Sequence, residues 1–180
     1  MNQLGRNDIR IRDPFVFCKD DLYYLYGSTD RNTWSGKGSG FMMYRSKDLE
    51  TFEGPFEVFH AEENFWGEEN FWAPEVYEYK ECYYMSASFK GNGRRGVQLL
   101  CARSPEGPFL PIKNAAITPK EWDCLDGTLY WEDNQCFLIF CHEWTQVIDG
   151  EICIARLSED MMNLEGEPVV LFRVLRQNGQ

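Results

Sequence analysis

Histidine is scarce in this chain of 180 residues: His60 and His142 are the only two. They are too few and too far apart to announce a transition-metal site. The seven cysteines (Cys18, Cys82, Cys101, Cys124, Cys136, Cys141 and Cys153) are an odd set that never forms a CxxC pair. Most fall in expected strands, so reduced, buried thiols are the simplest account. No apolar run approaches transmembrane length, and no basic n-region with an apolar h-region precedes the first motif. With the unpaired cysteines, this reads as a cytoplasmic chain, and Met1 close to the first motif reads as a natural start. Basic residues are outnumbered, 18 Lys plus Arg against 29 Asp plus Glu, for a net charge of −11 and a pI near 4.7. Nucleic acid and anionic membranes would approach against that field, so neither is an expected partner. The Gly-rich segments lack the GxxxxGK[ST] order and open no helix, which removes phosphate cradling. Gly, Pro and aromatic residues interrupt every stretch long enough for a helix, so the chain is read as all-β.

What the chain does contain is a repeat. IRDPFVFCKDDLYYLYGS from Ile11, FWAPEVYEYKECYYMSAS from Phe71 and CLDGTLYWEDNQCFLIFCH from Cys124 align on Pro14, Pro74 and Gly127. Each continues as an aromatic and β-branched strand, a polar turn and a second strand. Each unit then closes alike, through GFMMYRSKDL from Gly40, GVQLLCARSP from Gly96 and GEICIARLSED from Gly150, with a third strand ending at Ser46, Ser104 or Ser158. The period of roughly 50–60 residues fits a four-stranded propeller blade with its connections. The expected blades span 11–59, 71–112 and 124–172 of a single domain over residues 1–180, and each ends in a Glu-Gly turn at Glu53, Glu106 or Glu165. A closed ring needs at least four blades.

Six Trp, nine Tyr and thirteen Phe suit both blade-to-blade packing and stacking on sugar rings. Packing is the expected use for most. The connecting segments Arg31–Ser39, Ala61–Asn70 and the basic Lys90–Arg95 loop should lie on the propeller faces and shape a site. In a propeller the first strand of each blade lines the central channel, so Asp13, Glu75 and Asp126 should converge at one funnel mouth. Their mutual repulsion should separate their pKa values, which suits a base and acid pair. A lone Asp before Pro or Gly more often caps a turn. Recurrence at matching positions favours the functional reading for Asp13 and Asp126, whereas Glu75 stands two residues on from their slot.

Arg12-Asp13-Pro14, Trp72-Ala73-Pro74-Glu75 and Leu125-Asp126-Gly127-Thr128 resemble the successive blade motifs of glycoside hydrolase family 43, over about residues 7–172. That resemblance implies a five-bladed propeller, of which about three blades are present, and an inverting glycosidase acting on arabinose- or xylose-containing glycans. It implies Asp13 as the general base and Asp126 as the residue that orients the general acid and tunes its pKa. Glu75, a candidate substrate contact, departs from the Asp usual in the second blade. The family's acid is a Glu opening a fourth blade, and the chain ends before one. Either the acid lies in further sequence, or Glu143, at a strand end beside His142 and Trp144, serves; Glu53 and Glu106 close blades and are rejected. Trp34, Trp66, Phe71 and Trp72 are candidates to stack on sugar, with Trp72 best placed, and His142 is a candidate substrate contact.

Nothing in this chemistry requires a redox cofactor. The resemblance allows a structural channel Ca²⁺, without a nameable ligand set. The expected partner is an oligo- or polysaccharide, and open blade edges invite self-association detectable by light scattering. The other readings are a non-catalytic carbohydrate-binding or structural propeller and, last, a scaffold for protein partners.

Overall fold

Each repeat becomes one antiparallel sheet. In the computed structural model, which describes residues 3–173, the first sheet holds β1 (Leu4–Gly5), β2 (Arg12–Lys19), β3 (Leu22–Ser28), β4 (Gly40–Ser46) and β5 (Thr51–His60). The second holds β6 (Glu69–Tyr79), β7 (Cys82–Gly91), β8 (Arg94–Ala102) and β9 (Leu110–Pro111), and the third β10 (Cys124–Glu132), β11 (Gln135–His142), β12 (Glu151–Leu157) and β13 (Leu164–Arg173). From β2 onward every sheet runs in chain order, each strand pairing with the next, which is the up-and-down meander of a propeller blade. Among the described residues the helical content is one 3₁₀ turn, Arg6–Asp8.

The first sheet has five strands where four were expected. Leu4 pairs with Phe52 and Gly5 with Thr51, so the N-terminal segment occupies the free edge of β5. Its side chains Leu4, Ile9 and Ile11 then pack on Leu25, Tyr44 and Phe52, covering the outer face of blade one.

The polar turns close as two-residue hairpins. Asp20-Asp21, Lys80-Glu81 and Asp133-Asn134 all have positive φ at both positions (50° and 58°, 47° and 62°, 48° and 63°). This is the type I′ geometry that matches strand twist, and it favours Asn-Gly. Lys and Glu are poor choices for it, because each non-glycine left-handed residue costs about 1 kcal/mol or more. Changing Lys80-Glu81 to Asn-Gly should therefore raise stability by about 1 kcal/mol, read as a shift in the urea midpoint at unchanged slope.

Alternation along the strands places one apolar layer between each pair of blades. Between blades one and two lie Tyr26, Phe41, Phe59, Phe71, Phe89 and Met85, all essentially without exposed surface. The Tyr26 hydroxyl donates to the Pro105 carbonyl at 2.6 Å, so this fully buried polar atom is satisfied. Between blades two and three lie Val97, Leu99, Leu138, Phe140, Cys124 and Cys153. Burial pushes the Cys136 thiol pKa up to about 12 and that of Cys153 to about 11, so these thiols behave as small hydrophobes. All seven cysteines are free. No helix among the described residues is long and apolar enough to cross a membrane.

The third-strand serines fasten the blade ends. Ser46 Oγ accepts from the Asp48 and Leu49 amides and donates to the Thr51 carbonyl. Ser158 repeats this with Asn163. Asp48 accepts from the Glu50 and Thr51 amides, which hold its carboxyl well below the usual range.

Candidate active site

The three opening motifs share one backbone device. Pairing between first and second strands breaks between Arg12 and Phe15, between Trp72 and Glu75, and between Leu125 and Thr128. At each break one residue lies in the left-handed region: Asp13 at φ 47°, Ala73 at 44° and Asp126 at 53°. Such a bulge re-aims a side chain and costs energy for a non-glycine residue. Asp13 and Asp126 are thereby lifted out of the ladder. Blade two presents Ala73 at the same position, so its own acid, Glu75, stands two residues on, where pairing resumes opposite Ser86.

Each blade also ties the next bulge in place. Ser28 Oγ, from β3, accepts the Ala73 amide at 3.0 Å, and Ser88 Oγ, from β7, accepts the Asp126 amide at 2.9 Å. Ser28 pairs with Arg12, Ser88 with Trp72 and Cys141 with Leu125, so a thiol holds the corresponding position in blade three. Ser28 Oγ also lies 3.4 Å from Asp13 Oδ2. Gly127 lets the third motif come this close: a Cβ there would stand 2.4 Å from Val97 Cγ1 and 2.8 Å from Ser86 Oγ.

The result is a cleft of about 310 Å³ lined by Arg12, Asp13, Thr33, Trp34, Trp72, Leu125, Asp126, Cys141, Glu143 and Trp144. Asp13 and Asp126 are both exposed to it. Trp34 and Trp72 meet edge to face at 5.5 Å, forming an aromatic wall. Trp34 is 67% exposed, leaving ring surface for a ligand, and the Arg12 guanidinium lies 4.6 Å over it. Trp72 is held from behind by its indole N–H on the Thr33 carbonyl and by the Arg95 guanidinium 5.0 Å over its ring.

Glu143 is 9% exposed at the end of β11. Arg95 and the Thr145 hydroxyl both donate to its Oε2, the latter at 2.9 Å. Both contacts use it as an acceptor, whereas a general acid must offer an O–H. Two candidates lie off the cleft. His142, one residue from Cys141, points to the opposite side of β11 by strand alternation. It is 5% exposed, stacked on Trp122 at 4.1 Å, with Nε2 2.9 Å from Gln146 Oε1. A direct substrate contact is thus replaced by a packing role. Glu75 is half-buried and accepts from the Tyr77 hydroxyl, so its charge reaches the site through space. Trp66 and Phe71 pack in and against the aromatic layer, as most aromatics were expected to do.

Arg12 and Arg95 join the site without a sequence signal of their own, whereas Trp144 stands beside Glu143 in the sequence. The Ser28 and Ser88 ties had a visible signal: both stand fourteen residues after the aligned prolines, Pro14 and Pro74. Among the described residues no group of three or more His, Cys, Asp or Glu side chains is placed to hold a metal.

Desolvation pushes the Asp126 carboxyl up, reinforced by repulsion from Asp13, Glu75 and Glu143. This group's contribution to stability is fully present below the unfolded carboxylate pKa and is lost as pH rises through its elevated folded value. Asp126→Asn should consequently melt higher than the native chain at pH 7, with the gap closing toward pH 4. Equal gaps at both pH values would show that the carboxylates do not repel across the cleft.

A family model described as Glycosyl hydrolases family 43 matches residues 8–178. No match is found among curated proteins. Among solved structures, an endo-arabinase from Bacteroides thetaiotaomicron is 41% identical with a TM-score of 0.85, over 94% of this chain and 58% of that one. A thermostable family-43 glycoside hydrolase is 27% identical with a TM-score of 0.79, over 93% of this chain and 54% of its own. An endo-1,4-beta-xylanase, again from Bacteroides thetaiotaomicron, is 26% identical with a TM-score of 0.68, over 86% of this chain and 50% of its own. The chain thus spans little more than half the length of these relatives. Three meander sheets, acids lifted by matching bulges into one aromatic-walled cleft, and a family match over nearly the whole sequence give one conclusion: this chain belongs to glycosyl hydrolases family 43.

Proposed function

We propose that the chain contributes the base side of a glycosidase that cleaves arabinose- or xylose-containing glycans with inversion at the anomeric carbon. The observation that carries this reading is the juxtaposition of Asp13 and Asp126 in one cleft walled by Trp34 and Trp72. The likeness to an endo-arabinase favours an arabinan as substrate. Asp13 takes a proton from water, and the water oxygen attacks the anomeric carbon as the glycosidic bond breaks. A carboxylic acid on the other side, about 6.5–9.5 Å away in inverting enzymes, protonates the leaving oxygen. Trp34 stacks on the sugar, and Arg12 holds Trp34. Any further carboxyl entering this cleft meets Asp13, Asp126 and Glu143, whose repulsion pushes its pKa up, as burial and neighbouring acids push up that of Asp126. That is the tuning role assigned to Asp126.

Glu143, taken by Arg95 and Thr145, is assigned to holding the cleft floor, so the leaving-group proton comes from an acid outside the cleft lining. This same feature supports a second reading, a carbohydrate-binding propeller without turnover. The test is incubation of the protein, with the acid-bearing part included, with linear arabinan and with xylo-oligosaccharides, following the anomeric protons by NMR. First-formed product of inverted configuration is expected. Retained configuration would overturn the inverting mechanism, and glycan binding with no cleavage of either substrate would replace the proposal with the second reading.

A further inference from the structure

A second cleft, of about 420 Å³, lies between the β7–β8 turn and the connector before β10. Its volume falls in the range of small-molecule clefts, about 300–1,000 Å³. Its walls are fixed. The Ile117 amide donates to the Val97 carbonyl at 2.7 Å, the Val97 amide to Thr118 Oγ1 at 3.2 Å, and the Trp66 amide to Asn114 Oδ1 at 3.1 Å. Trp66 and Trp122 supply aromatic surface, and the flat stack of Trp122 on His142, at 4.1 Å and 7°, holds that indole in place. This gives buried His142 a use that the first cleft does not.

The charge of this cleft runs against that of the chain. Arg94, Arg95 and Lys120 line it with one acid, Glu121. Arg95 is committed to Glu143 and Asn70. Arg94 stands 3.8 Å from Glu121, whose side chain is 79% exposed, a weak pairing in water. Lys120 is exposed. Two cations thus face one screened carboxylate in a protein of net charge −11. Aromatic faces with a local cationic excess match a sugar ring that carries a carboxylate.

The two clefts share a wall. Arg95 lines the second, bonds Glu143 of the first and covers the back of Trp72. Asp123 joins them again, accepting the Arg95 amide at 3.0 Å on its side chain and the Glu143 amide at 2.8 Å on its carbonyl. A glycan bound at Trp34 and Trp72 therefore has an adjoining place for a neighbouring unit or branch.

We propose that this cleft is an accessory subsite for a uronic acid unit of the bound glycan, with Arg94 and Lys120 meeting its carboxylate and Trp122 its ring. The proposal rests on the glycan-binding part of the function above and names an acidic glycan as the substrate class. In the test, the full chain is titrated with digalacturonate, with neutral galactobiose and with inorganic phosphate, following tryptophan fluorescence and heat at low and high salt. Digalacturonate should bind at least about tenfold more tightly than galactobiose, a difference near 1.4 kcal/mol. High salt should shrink that preference, Arg94→Gln with Lys120→Gln should remove it, and Asp13→Asn should leave it intact. Equal affinity for the two disaccharides, phosphate competing as well as digalacturonate, or an unchanged preference in a natively melting double variant would overturn it. Because the readout is binding, a chain that shows this preference yet supports no cleavage when the acid-bearing part is present counts against the proposed function and leaves the subsite standing.

Discussion

Asp13→Asn should lower the rate of glycan cleavage by about 10²–10⁴-fold, the usual contribution of a positioned general base, with glycan affinity unchanged. The variant is a clean probe because of where Asp13 sits. At φ 47° the backbone is in the left-handed region, which Asn enters about as readily as Asp, so the bulge should survive the change. Ser28 Oγ can still approach the amide oxygen that replaces Oδ2, and it still accepts the Ala73 amide that ties blade two to blade one. What disappears is the ability to accept a proton from water. Paired measurements of kcat and of equilibrium binding separate the outcomes. A fall in kcat with constant affinity is the signature of a base. Unaltered turnover would move the base elsewhere in the cleft, and a parallel loss of binding would mean that Asp13 contacts the sugar without activating water.

How much of this site can be read from the sequence depends on which physical signal carries each residue. Asp13 and Asp126 are legible because a bulge must recur at the same point of every blade, and the aligned Asp-Pro and Asp-Gly pairs mark it. The same alignment places Ala73 in the second blade's slot, which explains why Glu75 does not line the cleft. Strand alternation would also have turned His142 away from Cys141 and Glu143, had the register of β11 been known. That register is set by the type I′ turn at Asp133-Asn134, whose residues are only moderate predictors of it.

Arg12 and Arg95 were hidden for another reason. Each acts through partners distant in sequence: Arg12 through Thr33 and Trp34, Arg95 through Asn70, Trp72 and Glu143. No periodicity encodes a guanidinium that reaches a loop of its own blade, as Arg12 does, or the neighbouring blade, as Arg95 does at Glu143. The all-β class, by contrast, rests on local rules that tertiary structure did not override. The fifth strand in blade one is an exception of two residues, too short for any pattern to announce.

The largest effect on stability should come from Phe89. It lies on β7 opposite Gly96, has no exposed surface, and fills the layer between blades one and two. Its ring meets Phe71 at 4.8 Å, Phe65 at 5.0 Å, Phe41 at 5.8 Å and Phe59 at 5.9 Å, the closest two nearly perpendicular. Phe89→Ala should cost about 3–5 kcal/mol, since burial and a cavity term add. The edge-to-face pairs place the expectation at the upper end. Against a typical total of about 5–15 kcal/mol this is a large share, and it should appear as a lower urea midpoint. Val16→Ala, at a position 43% exposed, is the control and should shift the midpoint little. The two results together test the blade stack itself. Phe71, whose ring packs on Phe89, immediately precedes Trp72, so a collapse of this layer would also displace the aromatic wall of the cleft. A cost below about 1 kcal/mol for Phe89→Ala would mean that the layer is not sealed, and that the two blades are not held together as these contacts require.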